Sequence, residues 1–305
     1  MQVQPYREIE SKDGLIPLFD HAFNWVFNEI QFNDFVGIDP RLRNGPVSFI
    51  GVENGKIVGH VGVMDLATRT IEGNVEYVGG IYGVATLAGY TRKGVCTTLM
   101  KKAHEYFREK DYPFSLLSTS PALIAHSLYE KMGYVDILEY PSAYKPFDEN
   151  VARSSRLEKI MRFDLDKICR IYNLFVRGRT GLVVRDKAYF RMLKKVEGIK
   201  SRQCIVQNNG YAILSEDKTR TWIKELVALS QAGLRRLIQM VESRAKGPIC
   251  DRTVLDGKLF ETYADRGYIT QNRGYGVMMC KSLAAGASFT EKYGDKFYMD
   301  RLDAF

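Results

Sequence analysis

The sequence predicts a mixed α/β (α+β) chain built from two similar halves, each a mostly antiparallel twisted sheet flanked by helices. Three observations predict it. Strand-like and helix-like periodicities alternate along the 305 residues. A hairpin signature opens the sheet portion of each half. A short motif, Tyr-x-x-x-Gly-Tyr, recurs in both halves at the place where a helix should end and a strand begin.

In the first half, residues 47–64 (VSFIGVENGKIVGHVGVM) hold two β-rich runs joined at Asn54-Gly55, a strong hairpin signal. The segment EYVGGIYGVATL follows as a strand, and a helix is expected from about Val95. Its apolar stripe is Val95, Leu99, Ala103 and Phe107. In LYEKMGY, Gly133 is placed to end a helix, because glycine tolerates the positive φ of a C-terminal cap. The second half repeats the order. RQCIVQNNGYAILSE is expected to turn at Asn209-Gly210, and TWIKELVAL is followed by a helix bearing Leu234, Leu237, Ile238 and Val241. TYADRGY carries Tyr263, Gly267 and Tyr268 at the spacing of Tyr129, Gly133 and Tyr134. Prolines, serines and mixed charges near Pro141 and Pro146 interrupt the periodicity. The expected domains are therefore 1–148 and 149–305.

Composition is that of a water-soluble globular chain, 45% hydrophobic and 26% charged. No apolar run approaches the roughly 20 residues of a membrane span, and the first residues are polar, so a cytoplasmic location is expected. The five cysteines (Cys96, Cys169, Cys204, Cys250 and Cys280) form no CxxC, and the four histidines show no HxxxH or HExxH spacing. No metal site is expected. The net charge of +8 is spread along the chain with no nucleic-acid signature. Nucleic-acid binding is therefore not expected, whereas an anionic cofactor suits the charge.

The segment TLAGYTRKGVC sets Arg92, Lys93 and Gly94 directly ahead of the amphipathic helix. Unpaired amides at a helix start, the positive end of its dipole and two cations make an anion seat. Gly94 lets the backbone come close to that anion.

With the hairpin before it and LYEKMGY after it, the stretch from about 44 to 140 resembles the Gcn5-related N-acetyltransferase (GNAT) superfamily. That family's signature is a loop Q/R-x-x-G-x-G/A between its fourth strand and third helix. Here it reads TRKGVC, with Thr91 in place of Gln or Arg and Cys96 in place of the second small residue. The resemblance implies that Arg92, Lys93, Gly94, Val95, Cys96 and Thr97 hold the diphosphate of acetyl-coenzyme A. It places the pantetheine arm along Val84, Ala85 and Thr86. Strand glycines 79, 80 and 83 are expected to permit close approach of another chain. The second half has a shorter loop and no basic pair before Gly233, so it is expected to share the shape without binding coenzyme A.

The activity implied is acetyl-CoA-dependent N-acetyl transfer to a primary amine on a small molecule, peptide or protein. Such an amine is neutral in only about one molecule in 10³ at pH 7, so a proton acceptor is needed. In the histone-modifying branch that acceptor is a carboxylate on the fourth strand; here the position falls on Gly80. Glu76 and Asp65 are alternative bases expected near the cofactor. Tyr129 matches the family's tyrosine that protonates the departing thiolate.

A tandem pair with a degenerate second copy is similar to enhanced-intracellular-survival (Eis) acetyltransferases, in which a chain-terminal carboxylate is assigned as proton acceptor. The aromatic tail YGDKFYMDRLDAF is accordingly expected to present the Phe305 carboxylate. The aromatic run at 23–32 should border the acceptor pocket or the core. Pairing of identical chains is common in the family. Two other readings remain open: a non-catalytic acyl-CoA sensor, and, from charge alone, a nucleic-acid-binding module.

Overall fold

The structure, a computed structural model, describes residues 1–147, 163–217, 219–274 and 276–303. The first half runs β1 (Gln2–Pro5), α1 (Leu15–Phe23), α2 (Glu29–Ile38), β2 (Ser48–Glu53), β3 (Lys56–Arg69), β4 (Val75–Thr86), α3 (Val95–Glu109), β5 (Phe114–Thr119), α4 (Ile124–Lys131), β6 (Val135–Glu139) and β7 (Ser142–Lys145). The second runs α5 (Leu165–Phe175), β8 (Thr180–Gly181), α6 (Lys187–Val196), β9 (Cys204–Gln207), β10 (Gly210–Glu216), β11 (Thr221–Ala228), α7 (Gln231–Arg244), β12 (Ile249–Asp251), α8 (Gly257–Asp265), β13 (Ile269–Gln271), β14 (Val277–Ser282), α9 (Phe289–Tyr293) and β15 (Phe297–Tyr298).

The two hairpins differ in detail. Glu53 pairs with Lys56, leaving Asn54 and Gly55 as the turn, both at positive φ (50° and 74°) as a type I′ turn requires. In the second half Gly210 pairs with Gln207, so Asn208 and Asn209 make the turn and Gly210 is already strand. The turn expected at Asn209-Gly210 is thus displaced by one residue. Gly210 is there for room, since a Cβ would lie 2.7 Å from the Val227 carbonyl oxygen.

The helix-closing motif behaves alike in both halves. Gly133 (φ 87°) and Gly267 (φ 75°) cap α4 and α8 in the left-handed region. The amide of Tyr134 donates to the Tyr129 carbonyl at 3.1 Å, and that of Tyr268 to the Tyr263 carbonyl at 3.0 Å.

The strand order is β1-β2-β3-β4-β5-β14-β6 in one sheet and β13-β7-β12-β11-β10-β9 in the other. The halves therefore exchange strands. β14 lies antiparallel between β5 and β6, whereas β7 lies antiparallel between β12 and β13. β14 is apolar on both faces because both are covered. Met278 and Cys280 pack with Phe114 and Leu116, while Val277 and Met279 pack with Leu117, Tyr129 and Tyr134. β8 and β15 extend the first sheet through the pair Arg69 and Gly181. The boundary expected at 148/149 falls outside the described residues.

The stripe Val95, Leu99, Ala103 and Phe107 is buried, seating α3 on the first sheet. It sits close: a Cβ on Gly79 would come within 2.4 Å of the Phe107 ring, and one on Gly59 within 2.5 Å of Val95. The space at Gly79 is thus taken by α3 and not by a ligand, contrary to expectation.

Candidate active site

The site begins where two parallel strands part. β4 and β5 pair at Gly79–Ser115, Gly80–Leu116 and Ile81–Leu117, and the pairing stops there. β4 continues against β3 on its other side, with Tyr82 opposite Gly62 and Thr86 opposite Gly59. From Tyr82 to Thr86 the edge facing β5 carries no strand among the described residues. Val84, Ala85 and Thr86 lie on this open edge, whose backbone groups can pair with an extended ligand as a further strand would.

The register of β3 and β4 shifts between His60 and Gly62, and Gly83 adopts φ 57°, the mark of a bulge. His60 holds it. Its Nδ1–H donates to the Gly83 carbonyl at 2.7 Å, which leaves Nε2 as a bare acceptor, buried and with no partner among the described residues. Burial holds the His60 pKa down to about 4, so the ring is neutral at pH 7. Phe19 meets the imidazole edge-on at 4.8 Å and also touches Trp25 and Phe27. Of the aromatic run expected at pocket or core, Phe27 and Phe32 are buried in the core while Phe23 and Trp25 stay exposed. Sequence analysis weighed the histidines only as metal ligands and missed His60. Its signal was a lone polar ring inside an otherwise apolar strand.

α3 starts at the same end of the sheet. Its N-cap is Gly94 (φ 80°, ψ 0°), with no side-chain hydrogen bond over the first turn. The first bond into the helix runs from the Thr98 amide to the Gly94 carbonyl at 2.9 Å. The amides of Gly94, Val95, Cys96 and Thr97 precede it and have no intrahelical acceptor. A Cβ on Gly94 would meet nothing within 4 Å, so the glycine answers to backbone angle with open space beside it. Arg92 is exposed and also in the left-handed region (φ 62°), a strained choice for a side-chain-bearing residue. Lys93 is exposed, its ammonium 4.9 Å from the Tyr90 ring centre. The chemistry fits a diphosphate: outward amides, a dipole end and two exposed cations.

Tyr129 on α4 is buried, and its hydroxyl has no hydrogen bond to protein among the described residues. Burial, then the nearby Cys96, pushes its pKa well above the usual phenol value, so it is a proton donor at neutral pH. Burial also raises the Cys96 thiol to about 11, which keeps it unionised. Behind Tyr129, the Tyr134 hydroxyl is fixed by the His104 ring at 2.8 Å and the Ser115 hydroxyl at 2.7 Å. The open β4 edge, the uncapped start of α3 and the free phenol thus belong to one end of one sheet.

Two expected participants stand elsewhere, and a third is not among the described residues. Glu76 pairs with Lys292 at 2.5 Å and Asp65 accepts from the Tyr106 hydroxyl at 3.0 Å. Both lie on the stretch before the strands part. Glu76 is roughly 16 Å of strand ahead of Ile81, and Asp65 stands opposite Gly79, two residues short of it, so both precede the open edge. Phe305 lies outside the described residues. The turn before it, Arg301–Asp303, is anchored by Asp303, which accepts from the Arg185 guanidinium at 2.9 and 2.6 Å. Among the described residues no cluster of His, Cys, Asp or Glu is arranged to hold a metal, and no helix is long and apolar enough to cross a membrane.

Residues 6–136 match the family model described as an acetyltransferase (GNAT) domain. No curated protein matches the chain. Among solved structures, a GCN5-related N-acetyltransferase from Kribbella flavida is 19% identical, with TM-score 0.67 over 89% of this chain and 69% of that one. A GCN5-related N-acetyltransferase from Anabaena variabilis ATCC 29413 gives 16% and 0.65 over 93% and 73%. Eis1 from Mycobacterium abscessus gives 14% and 0.60 over 93% and 74%. At these identities the likeness is one of fold, and it extends across both halves.

Proposed function

We propose that this chain, which carries a GNAT acetyltransferase domain over residues 6–136, is an acetyl-CoA-dependent N-acetyltransferase whose first half is catalytic. The observation that carries the reading is the unpaired edge of β4 opening onto the uncapped N-terminus of α3. Acetyl-coenzyme A supplies the acyl group and a thiolate leaving group. The edge at Val84, Ala85 and Thr86 aligns the pantetheine arm, and the amides from Gly94 to Thr97, with Arg92 and Lys93, hold the diphosphate. His60 keeps the Gly83 carbonyl in place, which fixes the bulge beside the reacting carbonyl.

The acceptor is a primary amine. Its nitrogen bonds to the acyl carbon as the carbon–sulfur bond breaks, and the Tyr129 hydroxyl gives its proton to the departing sulfur. The amine's own proton leaves to a base, the role expected of the Phe305 carboxylate. A truncation from Asp303 would also remove the buried partner of Arg185. The informative truncation therefore removes Ala304 and Phe305 alone, and unchanged turnover there excludes the terminal carboxylate. The acceptor itself is found by screening amines with acetyl-CoA and reading free thiol. Calorimetry that detects no uptake of coenzyme A by folded protein sinks the whole reading.

A further inference from the structure

The face of the second sheet away from α7 holds a cleft of about 710 Å³, outside the site described above. Trp222 of β11 lines it, and three guanidinium groups converge on that one indole. Arg252 lies 4.4 Å from the ring centre, Arg220 5.2 Å and Arg301 5.5 Å. Cations over an indole face are individually favourable, but three of them within a few ångströms repel one another unless an anion lies between.

The nearby carboxylates are otherwise engaged. Glu197 pairs with Lys224 at 3.0 Å, and Asp251 accepts from the Tyr263 hydroxyl at 3.0 Å. Asp217 accepts from the Thr219 amide and hydroxyl, the Arg220 amide and the Trp222 indole N–H. Among the described residues none of the three guanidiniums has an ion-pair partner within 4.0 Å. Arg301 is held below its ordinary basicity, first by burial and then by Arg252. An isolated guanidinium on a surface is common; three sharing one indole at the wall of a cleft, none of them ion-paired to the Glu197 and Asp251 carboxylates that also line it, can together receive a polyanion.

We propose that this cleft binds a small molecule carrying at least two phosphate or carboxylate charges. The binding is independent of the coenzyme A seat, which lies on the first sheet.

The chain has two tryptophans, so a Trp25→Phe background leaves Trp222 as the sole indole reporter. Pyrophosphate and citrate are titrated separately while emission is followed, with potassium chloride at matched ionic strength as control. The expected result is a saturable change with one or both polyanions, the stronger of the two identifying phosphate or carboxylate chemistry. Arg252→Ala, which alters an exposed side chain, should weaken binding at least tenfold, with Arg252→Lys in between. The proposal is overturned by the absence of saturation, by an equal response to chloride, or by affinity unchanged in Arg252→Ala. Binding of a single-stranded oligonucleotide without either small anion also overturns it. Coenzyme A titration of Arg252→Ala by calorimetry reads the other site separately and should be unaffected.

Discussion

The two helix entrances, α3 in the first half and α7 in the second, differ by little more than a loop and a side chain. Residues 87–94 lead into α3, whereas residues 229–230 lead into α7. α3 opens on Gly94 with nothing over its amides. α7 opens on Ser230, whose hydroxyl accepts from the Gly233 amide at 3.2 Å. Beside α7 lies a cleft of about 210 Å³ lined by Asp256, which pairs with Arg179. The tyrosines diverge in the same way. Tyr263 gives its hydroxyl to the buried Asp251, whereas that of Tyr129 is unengaged. On the proposed reading, one fold yields a ligand seat where helix amides are left bare, and a support where a side chain caps them.

The largest effect that would sharpen this contrast is expected at Gly94. Gly94→Asp adds a side chain at positive φ and a negative charge at the anion seat, and should lower coenzyme A affinity by about 100-fold or more. Gly233→Ala, in the first turn of α7, should change that affinity by less than about twofold. Calorimetry with both proteins decides; equal losses would erase the distinction.

Next come the two tyrosines. Tyr129→Phe should cut kcat by about 100-fold with little change in stability, because it removes a proton donor that holds nothing else. Tyr263→Phe should leave kcat intact and cost about 1–3 kcal/mol in denaturant unfolding, because Asp251 loses its partner. The opposite pattern would transfer the catalytic role to the second half.

Acid separates the halves as well. His60 titrates at about 4 in the folded chain, against an ordinary 6.5. Between those values the unfolded chain binds the extra proton, so this contribution is full above pH 6.5 and lost as pH falls through the window. Asp251 is pushed up by burial to about 6, from an ordinary 3.8. There the folded chain holds the extra proton, so its contribution is full below pH 3.8 and lost as pH rises through 6. Each is worth about 3 kcal/mol with opposite sign. Urea melts from pH 4 to 7 should show His60→Asn weakening the loss on acidification and Asp251→Asn strengthening it. The buried His104, also held at about 4, adds to the first slope in every variant.

The smallest effect is at Ser230. Ser230→Ala should cost about 1 kcal/mol of stability, the usual value of a helix cap, and still create no coenzyme A binding. Acquired binding would mean that the cap alone seals the second half.

The local chemistry was legible because it is written in neighbouring residues. The Asn54-Gly55 turn, the buried stripe of α3 and the glycine caps at Gly133 and Gly267 need only a few positions to declare themselves. So does the basic glycine loop at 92–94. Where Asp65 and Glu76 stand relative to the parting of the sheet was not legible, because strand membership says nothing of how far along the strand the sheet parts. Only the tertiary structure showed that β7 and β14 complete each other's sheets, that His60 pins the bulge at Gly83, and that Arg220, Arg252 and Arg301 meet over Trp222. Each of those depends on residues far apart in the chain. Strand pairing is set by which edge is left open and buried, a property of the assembled sheets that no single segment encodes.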